Sequence, residues 1–353
     1  MPQRPFDPRS PGCLRVERAG IVCAGCWLVD HNKTIARWPA EETLTNVLDL
    51  RLDGGGPAHN VAMDLARLGA PFPVWGMGAV GDDAGGTLLL DSCRVHGVDS
   101  SHIRVLNGVA TSQTDVMTVQ ATGKRTFFHT QGANALLQPD DFDFSGVPAR
   151  ILHLGAPGVH RRLDQASGNG ENGWVSVLRR AREAGLQTNL EMVSAAPEDI
   201  RSLVRPCLKH LDSLIINDYE AAALTGLDLA AGGRASAQTA RAAAEAILQE
   251  GVTELVVIHF PEGCVAATAG GGVITHPSLR VPAGMIEGAN GAGDAFVAGV
   301  LYGLHDRWPL EQSLILGLCA AASALRSVST TASVGTVADC LALPASWGWR
   351  DAL

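Results

Sequence analysis

The sequence has no apolar run long enough to cross a membrane, since its longest, such as 314–325, match core helices in length. It also lacks a block of basic residues. Its 36 acidic and 27 basic side chains give a formal net charge of −9. Because such a surface does not attract nucleic acid or an anionic membrane, we expect neither partner. A phosphate-bearing ligand would have to be held by local dipoles, single basic groups or a cation.

Metal-binding and redox motifs are also scarce. Among eight cysteines only Cys23 and Cys26 form a CxxC pair, and no second pair or nearby pair of histidines completes a zinc site. Both lie in the apolar segment 21–29, which is predicted to be one buried strand. We favour buried, unreactive thiols in a cytoplasmic protein, with a redox or zinc pair as the alternative.

The remaining composition is that of a globular protein, with 46% hydrophobic and 18% charged residues in a chain of 353. Residues 1–18 lack the apolar segment of a secretory signal and are predicted to be a disordered tail. From 19 to 345 strands and helices alternate, which predicts an α/β fold with a mainly parallel sheet between layers of helices. Residues 346–353 are predicted to be a second tail.

The predicted strands and helices come from apolar runs and their periodicity. The predicted strands are 21–29, 72–76, 150–154, 186–190, 213–216 and 254–259. The predicted helices are 58–68, 85–96, 173–184, 221–225, 237–249, 292–305 and 310–327. Two segments, about 30–52 and 105–132, depart from this alternation because they look extended or form a hairpin. They predict a small accessory sheet that closes over a cleft.

The segment 288–296, GANGAGDAF, contains the most informative motif. Its small residues Gly291, Ala292 and Gly293 precede Asp294 at the start of an apolar helix. The first N–H groups of a helix are free, and small side chains leave them accessible to an anion. An aspartate there would lie beside a bound phosphate as a base or orienting group. The motif therefore indicates phosphoryl transfer.

A glycine-rich turn at 54–56 leads into a helix that contains Asn60. The turn is either a flexible loop or a place where Gly55 and Gly56 let a polar ligand approach the backbone. The amide of Asn60 can donate and accept hydrogen bonds, as sugar hydroxyls require. Asp30 ends the first predicted strand, where ligands bind in open α/β sheets, although a turn aspartate would look the same.

Two further motifs allow more than one interpretation. Asn217 and Glu220 follow the strand 213–216, and their spacing alone favours a capping box. The alternative is an amide and a carboxylate that hold Mg²⁺-bound water and phosphate oxygens. The stretch 76–81, GMGAVG, matches a dinucleotide fingerprint, but Asp82 and Asp83 follow it and would repel a pyrophosphate. A dinucleotide site there is disfavoured, and no P-loop motif is present.

Taken in order, these motifs resemble the ribokinase-like (PfkB) carbohydrate kinase family. The resemblance extends from about 19 to 343 and includes GGGPAHNVAMDLARLG (54–69), GAVGDDAGG (78–86), NDYE (217–220) and GANGAGDAF (288–296). It implies a Rossmann-type α/β sandwich with a small β lid, which binds a sugar or nucleoside beside ATP and Mg²⁺. Family members often dimerise through their lids, so a homodimer is one arrangement to test.

The resemblance also implies roles for individual residues. Asp294 would be the base that takes the proton of the acceptor hydroxyl, and three backbone amides would form an anion hole: Gly291, Ala292 and Gly293. The nucleotide and its metal would be held by Asn217, Glu220 and Gly263, with Glu220 reaching Mg²⁺ through water. The sugar would be contacted by Asp30, Gly55, Gly56 and Asn60.

Several departures from the ribokinase pattern bear on the substrate and cofactors. Pro57 replaces the usual lysine and Gly155 replaces a sugar-contacting glutamate, which argues against ribose. The lead into the last motif, 288–290, differs from the usual Asp-Thr-Thr, so a monovalent cation such as K⁺ stays an open expectation. The nucleotide loop is altered at 258–260. We expect an ATP-dependent sugar kinase, with a nucleoside kinase or a non-catalytic sugar-binding protein as alternatives.

Overall fold

The computed structural model describes residues 18–166, 170–229 and 235–353, so nearly all of the predicted N-terminal tail lies outside the described residues. The described strands are β1 (Ile21–Gly25), β2 (Leu28–Ile35), β3 (Val47–Gly55), β4 (Val74–Gly81), β5 (Asp99–Leu106), β6 (Gln113–Val119), β7 (Arg125–Thr130), β8 (Ile151–Gly155), β9 (Gln187–Leu190), β10 (Ser213–Asn217), β11 (Leu255–Phe260), β12 (Gly263–Thr268) and β13 (Val273–Pro277).

The described α-helices connect these strands. They are α1 (Pro57–Leu68), α2 (Ala84–His96), α3 (Arg161–Asp164), α4 (Gly173–Glu183), α5 (Pro197–Val204), α6 (Asp218–Thr225), α7 (Ala237–Gln249), α8 (Ala292–His305), α9 (Leu310–Ala324) and α10 (Val337–Trp347). Within the described ranges, no helix is both long enough and apolar enough to span a membrane.

A nine-stranded sheet forms the body, in the order β13-β12-β11-β10-β9-β8-β1-β4-β5. Every neighbouring pair from β11 to β5 is parallel, and β12 and β13 add an antiparallel edge. Side chains alternate between two cores: Val22 packs with α4 and α7, while Ile21 packs with α1, α8 and α9. The predicted α/β sandwich with a mainly parallel sheet is therefore confirmed.

A second sheet of four strands, β3-β2-β6-β7, forms the lid. The prediction of one strand over 21–29 was wrong, because β1 ends at Gly25 and the chain turns at Cys26 and Trp27 into β2 of the other sheet. Asp30 consequently lies inside the lid rather than at the end of a body strand. The predicted lid segment 105–132 also begins too early, since Leu106 still belongs to β5.

The two cysteines of the CxxC pair are both buried, Cys23 within β1 and Cys26 in the turn after it. Burial raises the pKa of both thiols, which keeps them protonated and unreactive. Elsewhere the sequence missed β5, β12, β13, α3, α5 and α10. The strand β13 is partly exposed and lacks a clear alternation of apolar residues, so the periodicity that identifies strands is absent there.

The C-terminal segment 346–353 was predicted to be a tail, and this was wrong for most of it. Helix α10 continues to Trp347, and Trp349 forms a β-bridge with Leu279. The backbone N–H of Arg350 then donates to the carbonyl of Ser278 over 2.9 Å. These contacts hold the segment against the antiparallel edge of the body sheet.

Candidate active site

The centre of the candidate site is the N-terminus of α8. Gly291 is the N-cap residue with φ 77°, and a Cβ at this position would collide with the carbonyl of Thr330, so only glycine fits. No side chain caps the helix. The amides of its first turn, which includes Ala292 and Gly293, therefore stay available to an anion. The predicted helix start at 292 is confirmed.

Asp294 lies in this first turn and is contacted by a residue far away in the sequence. The side-chain Nδ2 of Asn60, in α1, donates to Oδ2 of Asp294 over 2.6 Å. The Asn60 amide is itself oriented by His59, whose Nδ1 lies 3.1 Å from its Oδ1. Burial lowers the pKa of His59 to about 4, so the ring is neutral near pH 7. The glycine-rich motif and the last motif therefore meet at one point.

The glycines at 54–56 make room for this arrangement. A Cβ on Gly54 would collide with the ring of His59, and a Cβ on Gly55 would collide with the carboxylate of Asp30. Gly56 has φ 88° and directly precedes α1. The motif is thus required by close packing around Asp30 and His59, and it is not a flexible loop.

Asp30 is buried next to Asp294 and Asp53, and its carboxylate accepts a hydrogen bond from Asn290. Burial first, and then the charges of Asp294 and Asp53, raise the pKa of Asp30 to about 7. The pKa of Asp294 is raised well above its ordinary value, mainly by burial and then by the charge of Glu191. The site therefore concentrates acidic groups whose charges raise one another's pKa.

The motif at 217–220 forms the capping box that its spacing indicates, and it also lies near Asp294. Oδ1 of Asn217 accepts from the backbone N–H of Glu220 over 2.8 Å, and Glu220 Oε2 accepts from the N–H of Asn217 over 3.1 Å. Ser194 donates to the other oxygen of Glu220. Glu220 is buried, which raises its pKa to about 7, and the charge of Asp294 adds to the rise. The two interpretations of this motif are therefore compatible.

Two cavities lie against the segment that leads into α8. The first, of about 440 Å³, is lined mostly by apolar groups, among them Phe260, Phe296 and Leu318, and it also contacts Asn217 and Gly293. Gly263 is not among its lining residues. A Cβ on Gly263 would collide with the carbonyl of His276, which gives this glycine a packing role at the start of β12. The cavity has the size and character of a pocket for a flat organic group.

The second cavity, of about 480 Å³, lies between the lid and residues 286–290. Its lid wall is the polar face of the small sheet, where Asn32 pairs with Arg51 and Thr118 pairs with Arg125. Arg125 is half-buried, and burial lowers its pKa. Within the described part of the chain no carboxylate pairs with its guanidinium, so it is available to an anionic group.

The stretch 76–81 lies within β4, not in a phosphate-binding turn. A Cβ on Gly76 or Gly78 would collide with the ring of Trp27, and one on Gly81 would collide with the carbonyl of Val109. Asp83 caps α2 by accepting from the N–H of Gly86 over 2.8 Å. These residues are structural, as the charge argument indicated.

Sequence reasoning missed several side chains in and around the site: Asp64, His153 and Glu191, which act on Asp294 directly, and His59, Asn189 and Ser194, which contact its neighbours. Glu191 directly follows the predicted strand 186–190, and the carboxyl end of a parallel strand is where functional groups collect. That signal could have identified Glu191. His153 and Asp64 gave no such signal, because a polar residue inside an apolar strand or helix shows its neighbours only in three dimensions.

Comparison with known proteins agrees with this fold. The family model described as pfkB family carbohydrate kinase matches residues 19–336. The chain is 24% identical over 345 residues to the 5-dehydro-2-deoxygluconokinase of Geobacillus kaustophilus (strain HTA426), covering 95% of this chain and 94% of that protein. A ribokinase-like kinase is thus the class that fold and site define.

Solved structures extend the similarity of fold. The Arabidopsis thaliana ribokinase complexed with ribose and ATP superposes with a TM-score of 0.73 at 21% identity, covering 92% of this chain and 98% of that one. The Burkholderia thailandensis nucleoside kinase complexed with inosine superposes with a TM-score of 0.70 at 19% identity, covering 94% of this chain and 100% of that one. The chain belongs to the pfkB family of carbohydrate kinases, and it is a phosphotransferase acting on a sugar or a nucleoside.

Proposed function

We propose that this kinase transfers the γ-phosphoryl group of ATP to a hydroxyl of a small sugar or sugar-like acceptor. The main support is the contact of 2.6 Å between Asn60 and Asp294 at the uncapped N-terminus of α8. It places a carboxylate beside free backbone amides, which are the two elements that phosphoryl transfer to an alcohol needs. The ATP held by the similar ribokinase of A. thaliana supports ATP as the donor.

In this mechanism Asp294 takes the proton of the acceptor hydroxyl while the hydroxyl oxygen bonds to the γ-phosphorus of ATP. The bond from that phosphorus to the β–γ bridging oxygen breaks, and ADP leaves with the electron pair. The amides of Gly291, Ala292 and Gly293 stabilise the charge on the transferred group. Asp30 and Asn60 hold neighbouring hydroxyls of the acceptor, and Gly55 and Gly56 let it approach the backbone.

Mg²⁺ supplies charge neutralisation for the phosphates when it is bound with the nucleotide. Glu220 and Asn217 suit this cation, because their carboxylate and amide oxygens are the kind of ligand that Mg²⁺ prefers. No cluster of three or more potential ligands occurs within the described ranges, so contact through water is the form proposed. Gly263 is proposed as part of the nucleotide loop on the resemblance, since it comes two residues after Pro261, which lines the first cavity. K⁺ dependence stays an expectation from the resemblance.

The acceptor is proposed to bind between the lid and residues 286–290. The unpaired guanidinium of Arg125 on the lid wall favours an acceptor with a carboxylate. The similar protein of G. kaustophilus is named for a gluconate derivative, which supports the same choice. Sugar acids therefore come first in the acceptor panel, followed by neutral sugars and nucleosides.

The test is an assay of ADP release with Mg·ATP over that panel, with K⁺ compared against Na⁺. Asp294→Asn should lower the rate about 10²- to 10⁴-fold, because an amide cannot take the proton, while ATP binding persists. Asp91→Asn, which changes an exposed aspartate on α2, should behave as wild type. A variant at 294 that keeps more than a tenth of the rate would contradict the proposal. Turnover of nucleosides alone, or sugar binding without turnover, would favour the alternatives.

Two further features belong to the proposal. The outer face of the lid exposes apolar side chains, namely Trp38, Leu50, Leu52 and Phe128, which supports a homodimer formed by two lids. We also propose a reducing, cytoplasmic location, because the seven cysteines in the described ranges are free and buried.

A further inference from the structure

Behind Asp294 lies a chain of polar side chains that the proposed mechanism does not use. Glu191 follows β9, and its carboxyl group is hydrogen-bonded to that of Asp294. Oε2 of Glu191 lies 3.1 Å from Nε2 of His153, in β8. Nδ1 of His153 lies 3.0 Å from the amide of Asn189, in β9. His153 and Asn189 are completely buried, so these contacts are fixed by the body of the sheet.

The chain determines which nitrogen of His153 holds the proton. Ser213 donates to Oδ1 of Asn189 over 3.3 Å, which leaves the Nδ2 of Asn189 to donate to Nδ1 of His153. Burial lowers the pKa of His153 to about 4, so the ring is neutral near pH 7 and its single proton is on Nε2. That N–H faces Glu191. Neither Nε2 nor this oxygen has a well-aligned hydrogen bond to any described group, and the two atoms lie 3.1 Å from each other.

Gly155 explains why Glu191 can take this position. It ends β8, beside the end of β9, at the position where the sequence lacks a glutamate found in ribokinases. A Cβ on Gly155 would lie 3.1 Å from the Cβ of Pro57 and 3.3 Å from the carbonyl oxygen of Glu191, both closer than usual, and 3.5 Å from the Cβ of Glu191, an ordinary contact. The absence of a side chain on β8 therefore gives the neighbouring strand room to place a carboxylate in the site.

The other groups that face Asp294 do not replace this contact. Asp30 approaches from β2, Asp64 from α1, Glu220 from α6 and the thiol of Cys26 from the turn after β1. All of them are neutral or negative. The amide of Asn60 and the ring of His153 are the groups that favour the charged form of Asp294. Asp30, Asp64 and Glu220 act on Asp294 or respond to it through charge, whereas Glu191 is also hydrogen-bonded to it.

We propose that Glu191, held by His153, is a positioning residue that orients Asp294 and makes its carboxylate a stronger base for the acceptor proton. The hydrogen bond between the two carboxyl groups raises the pKa of Asp294 and lowers that of Glu191, so a shared proton stays on Asp294, and Asp294 acts as the base once it has released this proton to solvent. This inference rests on the proposed role of Asp294. The negative charge of Glu191 raises the proton affinity of its neighbour, and a base is most effective when its pKa is near the working pH.

The test compares Glu191→Gln with wild type in the pH dependence of kcat and kcat/KM, using the best acceptor of the panel. Removing the charge should move the acid limb to lower pH by about one unit or more and lower the plateau kcat roughly tenfold, with little change in the acceptor KM. Glu198→Gln makes the same change at an exposed position seven residues further along and should leave the profile unchanged.

The outcomes separate this inference from the proposed function. If Asp294→Asn abolishes turnover and Glu191→Gln leaves the acid limb in place, the inference about Glu191 is contradicted while the proposed function is supported. If Glu191→Gln raises the acceptor KM and leaves the acid limb of the pH profile in place, Glu191 is an acceptor-binding residue, which also contradicts the inference. Should Glu191→Gln fail to fold, infrared spectra of wild type and Asp294→Asn decide. A protonated-carboxyl band that persists near neutral pH in wild type and disappears in the variant supports the inference, and its absence in wild type contradicts it.

Discussion

Asp64 is a single residue whose environment is unfavourable for its own charge. It lies in α1, one turn after Asn60, and is completely buried. Neither of its carboxylate oxygens has a hydrogen-bond partner among the described residues. Burial, and then the charge of Asp294, raise its pKa well above the ordinary value, while Arg67 lowers it. A buried acid of this kind is kept protonated, and it lowers stability once the pH favours ionisation.

We predict that Asp64→Asn becomes more stabilising, relative to wild type, as the pH rises. The folded-state pKa of Asp64 is above its unfolded value, so the folded protein binds the proton more tightly. The free energy of unfolding of wild type therefore falls as pH rises from about 4 through the folded pKa. The neutral amide of the variant removes this loss, so its free energy of unfolding should exceed that of wild type by about 1–3 kcal/mol at pH 8.

Urea unfolding at pH 5 and pH 8 measures this difference. The exposed Asp91→Asn serves as the control, and its effect should be small and equal at both pH values. If Asp64→Asn changes the free energy of unfolding by the same amount at both pH values, Asp64 does not titrate as a buried acid and the prediction is wrong.

At the scale of elements, α8 is the helix on which the site depends. In the proposed mechanism its N-terminus must be free of side chains for the amides to face a phosphate, and its third residue, Asp294, is the base. Gly291 meets the first requirement, because it has a left-handed conformation and the carbonyl of Thr330 leaves no room for a side chain there. Helix α1 meets the second requirement, because its Asn60 donates a hydrogen bond to Asp294 and fixes the position of that carboxyl group. The site is thus a contact between two helix N-termini.

We predict that Gly291→Ala lowers the free energy of unfolding by more than about 2 kcal/mol and removes most of the activity. The added Cβ combines a strained φ with a collision against Thr330, so the start of α8 must shift. Gly97→Ala is a matched control, because Gly97 also has a positive φ of 70° but no atom lies within 4 Å of the added Cβ. It should cost about 1 kcal/mol and leave kcat unchanged. Equal losses of stability and activity in both variants would contradict the prediction.

At the scale of the whole molecule, the lid has two different faces. Its inner face places polar side chains such as Asn32 and Arg125 along the cavity in front of residues 286–290, while its outer face exposes Leu50, Leu52 and Phe128. Trp38 stacks on Phe128, with ring centroids 6.1 Å apart, and extends this apolar surface. Strand pairing puts Leu50 opposite Lys33, so the outer residues point away from Asp30 and the site. A surface of this kind is typical of an interface between proteins.

We predict that the protein is a dimer in solution and that Leu50→Glu converts it to a monomer, since a carboxylate cannot be buried there without a partner. Sedimentation velocity over a range of concentrations measures the change. Leu44→Glu, in the highly exposed loop between β2 and β3, is the control and should leave the dimer intact. A wild-type protein that stays monomeric at micromolar concentration would rule out the lid dimer.

Local sequence determined much of this protein. The alternation of apolar runs predicted the α/β class, and the boundaries of α7 and α8 followed from the residues that begin them. The order of four motifs indicated the kinase family, and the departure at Gly155 was visible in the sequence. These features could be predicted because helix starts, glycine conformations and apolar periodicity depend on residues close together in the chain.

Only the tertiary structure decided which acids meet. The pairing of β9 with β8 brings Glu191 to His153 and Asp294, and the split of 21–29 into two sheets carries Asp30 into the lid. Strand order joins residues that lie far apart in the chain, such as His153 and Asn189, and no local pattern encodes it. Because the pKa of a buried carboxylate depends on the charges around it, the chemistry of Asp294 is a property of the folded chain.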